Sequence, residues 1–455
     1  MSLIPLILAG AFFFIIKLAN LGVRLSDTNV YFYTALKLLT GKMLYKDIFF
    51  TNLPLFPYLS TIYLILSGKN ILFYYFTSTL EVLLTSFFMY LILKRLAKNS
   101  IVATGGSILY LYSFMILATT DHQTGVFLAS LFSVISYFFF IKNKYVLSGI
   151  FIGLTLCLKA YFLPIFLAFV IDMVWEKWWK KLGLFFTGFT GMILLIIGPF
   201  LFFTNGAFVI QTFGYSLHRS AGLSKWEIFS FFLNHDSSFF LLFVFSLFNF
   251  KKDKFLFLVS LFSLLFLILY QDVYYLYLNF SLPFPVFSLP YIYIYIEKFF
   301  HKKTAAIFFV IITIASAIHF ARYINGFSTL GKIEDVDQLV TAVKNLKPRY
   351  LYGVDSLTPA LAAETNVPLL DGVVDTNENI FRSGVLNKDK LTRDALEKKT
   401  IIVARGASYP AIGFEDDLLE GIFDKEKINK NCKLLVTQPI HAEGAVNRIN
   451  LFKCY

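Results

Sequence analysis

Charged side chains are scarce in this 455-residue chain: Asp, Glu, Lys and Arg together make up 15% of it, against ~25% in soluble domains. Hydrophobic residues reach 57%. That shortage excludes one soluble globule. It also excludes a soluble body on a single anchor, because one span cannot move the average so far. Histidine (6) and cysteine (3) are few as well, and no spacing between them reads as a zinc site. There is no P-loop and no dinucleotide fingerprint, so chemistry driven by a bound nucleotide is not expected. What abounds is Phe, with 55 residues. Phe shares AT-rich codons with Lys, Ile, Tyr and Asn, and we attach no aromatic function to it.

The charge is divided unevenly. Residues 331–455 hold 18 acids and 17 bases, a net of −1, whereas residues 1–330 hold 11 acids and 24 bases, a net of +13. The whole positive balance lies in the hydrophobic part. Bases that flank apolar spans set membrane orientation, so no nucleic-acid partner is implied.

A span needs ~20 mostly apolar residues. Apolar runs lie near 3–20, 71–93, 101–119, 125–141, 146–161, 162–175, 182–203, 238–250, 255–270, 278–296 and 304–322. Basic clusters fall in alternate short loops between them: Lys94/Arg95/Lys98, Lys142/Lys144, Lys177/Lys180/Lys181, Lys251/Lys252/Lys254 and Lys298/Lys302/Lys303. The positive-inside rule puts those loops in the cytoplasm. The expected protein is therefore a polytopic α-helical membrane protein of the plasma membrane, with about 11 transmembrane helices over residues 1–325. Its N-terminus is cytoplasmic and a C-terminal soluble α/β domain, residues 330–455, lies outside. Leu53–Leu66 is too short to span and carries Pro54 and Pro57. It is expected to lie in the outer interface, within a long outer loop over 21–70.

In the C-terminal part, Tyr350–Val354, Val367–Leu370 and Thr400–Ala404 read as strands, and Asp335–Asn345 as a helix. Lys433–Thr437 and Asn447–Lys453 form an expected hairpin turning at His441–Gly444. Its flanking Cys432 and Cys454 oppose one another, so they are either bridged, as suits an external compartment, or two unrelated thiols. Cys157 lies in a span and serves packing.

Acids within a membrane domain are costly, so each needs a reason. Asp172, Glu176, Asp253 and Glu297 sit among inner-loop lysines. Glu81 is mid-span, where a buried polar contact explains it. Asp27, Asp47, Asp121, Glu227, Asp236 and Asp272 fall outside. Asp27, in Arg24-Leu25-Ser26-Asp27, precedes an amphipathic helix over Thr28–Thr40 closed by Gly41. Asp121 occupies the short loop Thr119–Thr124. Ser26 or Asp27 on one side, and Asp121 on the other, would also serve as helix N-caps. As functional groups, one carboxylate would take a proton from an acceptor hydroxyl and the other would orient a substrate or hold a cation. Arg24, Lys159, His218, Arg219 and Lys17 are candidate partners for a phosphate. Lys159, within an apolar run, has snorkelling toward the headgroups as its alternative.

Arg24-Leu25-Ser26-Asp27, then Tyr31, Ala35, Gly41, Tyr45-Lys46-Asp47 and Asn52-Leu53-Pro54-Leu55, together resemble the first outer loop of C-type (GT-C) glycosyltransferases, in the protein O-mannosyltransferase and aminoarabinose-transferase group. Asp121 falls at that group's second acidic loop. Gly149–Pro164, with Gly153 and Lys159, resembles its Gly-rich span ending in Lys. Tyr274-Tyr275 before Pro283 and Pro285 resembles its Tyr-then-Pro segment. The resemblance covers about residues 10–300. It implies inverting transfer of a sugar, a hexose or pentose, from a polyprenyl-phosphate donor on the outer face. Asp27 is then the base and Asp121 the second catalytic carboxylate. Arg24, Asp47, Lys159, His218, Arg219, Tyr274 and Tyr275 fall on the substrate-binding side. The acceptor is a protein, a lipid glycan or a cell-envelope polymer, and membrane lipids surround the protein. No metal ligands are assigned, although a divalent cation is a possible cofactor. Two positions depart from the pattern. Thr28 stands where many relatives have Glu, and Leu53 where Pro is common.

Two other readings compete. A transporter or lipid flippase should show internal repeats and ionisable residues along a midplane path, and only Glu81 is an intramembrane carboxylate. An inactive scaffold would present its outer domain to a partner.

Overall fold

The computed structural model describes residues 3–218, 222–333, 335–409, 414–416, 421–440 and 446–454. The apolar runs fold as helices: α1 (Ile4–Ala19), α2 (Thr28–Leu39), α3 (Leu55–Leu66), α4 (Ile71–Ala97), α5 (Ser100–Leu111), α6 (Phe114–Thr119), α7 (Val126–Ile141), α8 (Tyr145–Leu158), α9 (Leu163–Trp175) and α10 (Trp179–Phe203). Later apolar helices follow at Ser237–Phe248, Lys254–Leu269, Leu289–Phe300 and Thr304–Arg322. Among the described residues, Ile71–Ala97, Trp179–Phe203 and Thr304–Phe327 are long and apolar enough to cross a membrane alone. Lys225–His235 and Ser237–Phe248 would form a further span bent by 111°. The other apolar helices are shorter.

Several runs are broken, and each break has a local cause. The run 101–119 splits at Tyr112–Ser113, where freed amides need acceptors. The Ser113 hydroxyl accepts from Ile116 N at 3.5 Å and the Asp236 carboxylate accepts from Met115 N at 3.1 Å. Asp236, expected in an outer loop, lies between the helices Lys225–His235 and Ser237–Phe248, is fully buried and serves the start of α6. Lys159 is extended (φ −145°, ψ 107°) and breaks the chain between α8 and α9. Pro164 then sits in the first turn of α9, where its missing N–H costs nothing. α8 and α10 cross with almost no space between them. A Cβ on Gly149 would lie 2.0 Å from the Phe185 carbonyl oxygen, and one on Gly188 would lie 2.1 Å from that of Val146. Small residues permit such backbone approach, and the C-terminal end of α8 reaches the site described below.

The stretch Leu53–Leu66 holds the helix α3, and the expected amphipathic helix is α2, with Gly41 just beyond at φ +84°. Glu81 accepts from Tyr63 OH at 2.8 Å and Gln123 Nε2 at 2.9 Å, the buried polar contact expected of it.

The C-terminal part is built on a five-stranded sheet: β1 (Tyr350–Gly353), β2 (Thr400–Tyr409), β3 (Phe414–Asp416), β4 (Cys432–Ile440) and β5 (Val446–Cys454). The order is β1-β2-β5-β4, with β3 paired to β2. β1 and β2 are parallel, while β2/β5 and β4/β5 are antiparallel. Cys432 stands opposite Cys454 in the hairpin and the two are disulfide-bonded; the turn expected at His441–Gly444 lies outside the described residues. Val367–Leu370 is not a strand. It makes one isolated bridge, Leu351 with Leu369, before a 3-10 turn at Leu370–Gly372. The helix expected at Asp335–Asn345 is Val336–Leu346, with Asp335 capping it through Gln338 N at 2.9 Å.

The first loop is stitched to this C-terminal part. Leu25 N donates to Gly331 O and Ser26 N to Ser356 O, both at 3.0 Å. Thr51 Oγ1 donates to Asp375 Oδ2 at 3.0 Å, and Asn29 Nδ2 also reaches Ser356 O. Phe49 bridges Val373.

Candidate active site at the junction of the first loop and the sheet

A cavity of about 640 Å³ opens where the membrane helices meet the C-terminal part. That volume lies in the range of small-molecule sites, ~300–1,000 Å³. Its walls come from distant stretches of chain. The first loop gives Ser26, Asp27, Tyr31, Thr51, Asn52 and Leu53. The loop before α7 gives His122 and Thr124. The α8–α9 break gives Leu158, Lys159 and Tyr161. Phe266, Tyr270, Asp272, Tyr274, Leu276 and Tyr277 form another wall. The C-terminal part supplies Asp355, Ser356, Asp375, Asn377, Asn379 and Arg405. One side is aromatic: Tyr161 and Tyr277 lie edge to face at 4.5 Å, and Phe266 stacks on Tyr270 at 5.0 Å. The C-terminal wall is polar.

Asp27 is exposed on this cavity and makes no side-chain cap to α2. Ser26 takes over locally: its hydroxyl accepts from Thr28 N at 3.1 Å and lies 2.8 Å from both Thr28 Oγ1 and His122 Nδ1. The capping alternative for Asp27 is thus not used, and its carboxylate is left to the cavity. Lys159 donates to Tyr31 OH at 2.9 Å on the wall, turned inward from the α8 terminus rather than along an unbroken helix. His122 is half-buried, and burial pushes its imidazole below the usual 6.5.

Asp121 is elsewhere. It is 5% exposed and is not among the cavity-lining residues. Its Oδ1 is 3.2 Å from Lys17 Nζ and its Oδ2 is 3.1 Å from Arg24 Nη2. Lys17, 0% exposed, also donates to Tyr323 OH at 3.2 Å and to Leu117 O. Arg24 also donates through Nη1 to Leu330 O at 2.7 Å and through Nη2 to Ser328 O at 2.6 Å and Asn20 O at 3.3 Å. Neither cation points at the cavity. Together they clamp α1, the loop before α7 and the entry to the C-terminal part.

Of the other expected site residues, Tyr274 lines the cavity, while Tyr275 lies against Phe231, ring to ring at 4.0 Å. Asp47 is exposed and accepts from Met43 N at 2.9 Å, holding its own turn. His218 is exposed, bonded through Nδ1 to Gly214 O at 2.8 Å. Arg219 lies outside the described residues.

With this geometry in hand, solved structures provide a comparison. ArnT from Cupriavidus metallidurans in the apo state superposes with a TM-score of 0.63, covering 97% of each chain at 11% identity. The chain has the GT-C glycosyltransferase fold. ArnT bound to undecaprenyl phosphate superposes with a TM-score of 0.61 at 12% identity, covering 98% of this chain and 97% of that one. An oligosaccharyltransferase of Archaeoglobus fulgidus, in complex with zinc and sulfate, gives 0.59 at 14% identity over 91% of this chain and 73% of that one. The mycobacterial arabinofuranosyltransferase AftD gives 0.57 at 12% identity, covering 100% of this chain but only 40% of the larger protein. No protein-family model and no curated protein matches the sequence.

Within this GT-C fold, no cluster of three or more His, Cys, Asp or Glu among the described residues is arranged to hold a metal ion. The wall residues Ser26, His122, Thr51, Asp272, Asp355, Asp375, Asn377, Asn379 and Arg405 were not singled out as site residues by sequence. Asp272 carried a signal as an acid on the outer side of the apolar half, and Ser26 as a candidate cap within Arg24-Leu25-Ser26-Asp27. His122 and Ser26 flank the two singled-out carboxylates, and their contact spans 96 residues of chain. The C-terminal residues carry no motif.

Proposed function

We propose that the chain is an inverting glycosyltransferase that moves a sugar from a polyprenyl-phosphate donor to an acceptor hydroxyl at the outer face of the plasma membrane. The observation that carries the reading is Asp27: an exposed carboxylate, relieved of capping by Ser26, on a cavity that also holds Lys159. The acceptor oxygen attacks the anomeric carbon as the bond from that carbon to the phosphate oxygen breaks. The acceptor proton passes to Asp27, and the sugar's configuration inverts. The polyprenyl phosphate departs with its bonding electrons, and the Lys159 ammonium stabilises the developing charge. The aromatic wall of Tyr161, Phe266, Tyr270 and Tyr277 takes the apolar part of the donor. The undecaprenyl phosphate bound by ArnT supports this donor class.

In this reading residues 1–325 form the membrane catalytic domain and 330–455 an extracytoplasmic domain that closes the cavity. The Cys432–Cys454 bond suits that compartment. Asp121 with Lys17 and Arg24 acts by positioning: the triad fixes Arg24-Leu25-Ser26 so that Asp27 faces the cavity. The test supplies membranes with radiolabelled polyprenyl-phosphate sugars and identifies the labelled product. Transfer by the unaltered chain and its loss in Asp27→Asn support the reading. Undiminished transfer by Asp27→Asn removes Asp27 as the base.

A further inference from the structure

We propose that a small polar pocket in the C-terminal part, bordering the main cavity, holds one sugar unit of a glycan acceptor. The inference rests on the glycosyl-transfer reading above and names its acceptor class. The pocket measures about 200 Å³. It shares Tyr274, Asp355, Asn377 and Asn379 with the main cavity. The same four side chains therefore border both spaces.

The two spaces differ in character. The main cavity has an extended aromatic and aliphatic side. The small pocket is lined largely by amides, carboxylates and a guanidinium. Its lining is held in place before any ligand arrives. Asp375 accepts from Asn377 N at 3.1 Å and from Thr51 Oγ1 at 3.0 Å, and Asn377 Oδ1 accepts from Asn379 N at 3.0 Å. Thr376 Oγ1 donates to Gly353 O at 2.5 Å, and Glu378 is ion-paired with Arg382. Fixed donors and acceptors of this kind orient a polar ligand at little ordering cost.

Three observations favour a sugar. The Asn377 side-chain amide, whose oxygen accepts from Asn379 N, turns two N–H donors to the pocket, which suit sugar hydroxyls. Arg382 is balanced by Glu378 and Asp355, so the pocket has no excess positive charge for a phosphate or polyanion. Its volume falls below the ~300 Å³ at which drug-sized ligand sites begin, and so suits a single ring rather than a lipid or a folded peptide. Tyr274, 40% exposed at the shared boundary, adds aromatic surface of the kind that the apolar face of a pyranose packs on. The acceptor then places its attacked hydroxyl beside Asp27 and its next unit in the small pocket, so at least two sugar units are recognised.

The experiment uses the full chain in lipid nanodiscs. Saturation-transfer NMR compares methyl glucoside, methyl mannoside and methyl galactoside with maltose, mannobiose and lactose, and with a Ser/Thr-rich hexapeptide. A separate titration uses undecaprenyl phosphate. The expected result is that at least one disaccharide binds about tenfold more tightly than its monosaccharide, and that Arg382→Ala and Glu378→Gln each erase the advantage. Undecaprenyl phosphate affinity should stay within about twofold in both variants, because neither residue lines the main cavity. Both positions lie on an accessible helix face, so folding is not at risk, and equal melting curves verify this. The proposal is overturned if no disaccharide binds, if disaccharide and monosaccharide bind alike, or if both variants retain the advantage. Hexapeptide binding that depends on Arg382 would likewise overturn it and give the pocket to a protein acceptor. Failure of the unaltered chain to bind undecaprenyl phosphate would count against the lipid-linked donor and leave the glycan pocket standing.

Discussion

Around Asp27 the molecule is open, and around Asp121 it is closed. Asp27 stands at the mouth of α2 on a cavity of about 640 Å³, with the neighbouring Ser26 accepting from Thr28 N. Asp121 sits between Lys17 at 3.2 Å and Arg24 at 3.1 Å, with 5% of its surface exposed. Both follow an apolar run, both precede a helix, and only two residues separate Asp27 from Arg24. The difference lies in what each carboxylate has already been asked to do. A carboxylate with two cations in a dry environment is a fastener, because desolvating three charges is tolerable only while they neutralise one another. A carboxylate with no capping duty in a ligand-sized cavity is available for a proton.

The largest effect expected from this contrast is on chemistry at Asp27. Asp27→Asn should lower the transfer rate by about 10²–10⁴-fold, the usual contribution of a positioned general base. Its melting temperature should not change, since no cap bond is lost. Asp121→Asn should behave in the opposite way. It leaves two buried cations without their counter-charge, and breaking such a pair by removing one partner costs about 3–5 kcal/mol. The measured outcome should be a clearly lowered melting temperature, with activity lost in proportion to folded protein. If Asp121→Asn melts normally yet transfers no sugar, the contrast between the two regions is wrong and both carboxylates belong to the chemistry.

Lys159 sharpens the open side of the comparison. Removing its ammonium with Lys159→Ala should weaken undecaprenyl phosphate binding by about 10–100-fold, the loss of one charge-assisted hydrogen bond. Fluorescence titration in nanodiscs would measure it. Unchanged affinity would return Lys159 to a role as partner of Tyr31 alone.

What could be read from sequence follows the range of the forces involved. Helices were legible because apolar runs of membrane length fix them locally, and the breaks at Ser113 and Lys159 were not, because the first depends on Asp236 arriving from 123 residues away. The hairpin and its Cys432–Cys454 pair were legible from symmetric spacing across one turn. Val367–Leu370 looked like a strand by composition, but it meets a single partner residue, Leu369 against Leu351, so its apolar side chains serve packing without a ladder. Asp27 was legible and the fate of Asp121 was not: nothing near residue 121 announces that Lys17 reaches it from a membrane helix. The polar wall of Asp355, Asp375, Asn377 and Arg405 was illegible for the same reason. Its residues become a site only where the first loop hydrogen-bonds onto the C-terminal part.

The smallest expected effect lies between the two regions, at His122, which follows Asp121 in sequence yet faces the cavity beside Asp27. Burial lowers its proton affinity below the usual 6.5. In the neutral ring Nδ1 can accept from the Ser26 hydroxyl at 2.8 Å, while that oxygen accepts from Thr28 N at 3.1 Å. Protonation makes both ring nitrogens donors, so Ser26 must give up its own donation and turn its proton toward Thr28 Oγ1, also at 2.8 Å. The sign follows from linkage. As pH falls through about 6.5, an unfolded chain takes up a proton that the folded chain refuses, and stability declines until the folded imidazole titrates, below which the loss stays constant. The carboxylate beside this switch should lose alignment only at the acid end of that interval, where the folded imidazole itself takes up the proton. His122→Gln keeps a hydrogen-bonding group and removes the titration. It should cost about fivefold or less in rate at neutral pH, one neutral hydrogen bond at most, and should flatten the acid limb of both the rate and the melting temperature. An acid limb that persists unchanged in His122→Gln would mean that the open region senses pH through a different group, and that the Ser26–His122 contact only holds the loop in place.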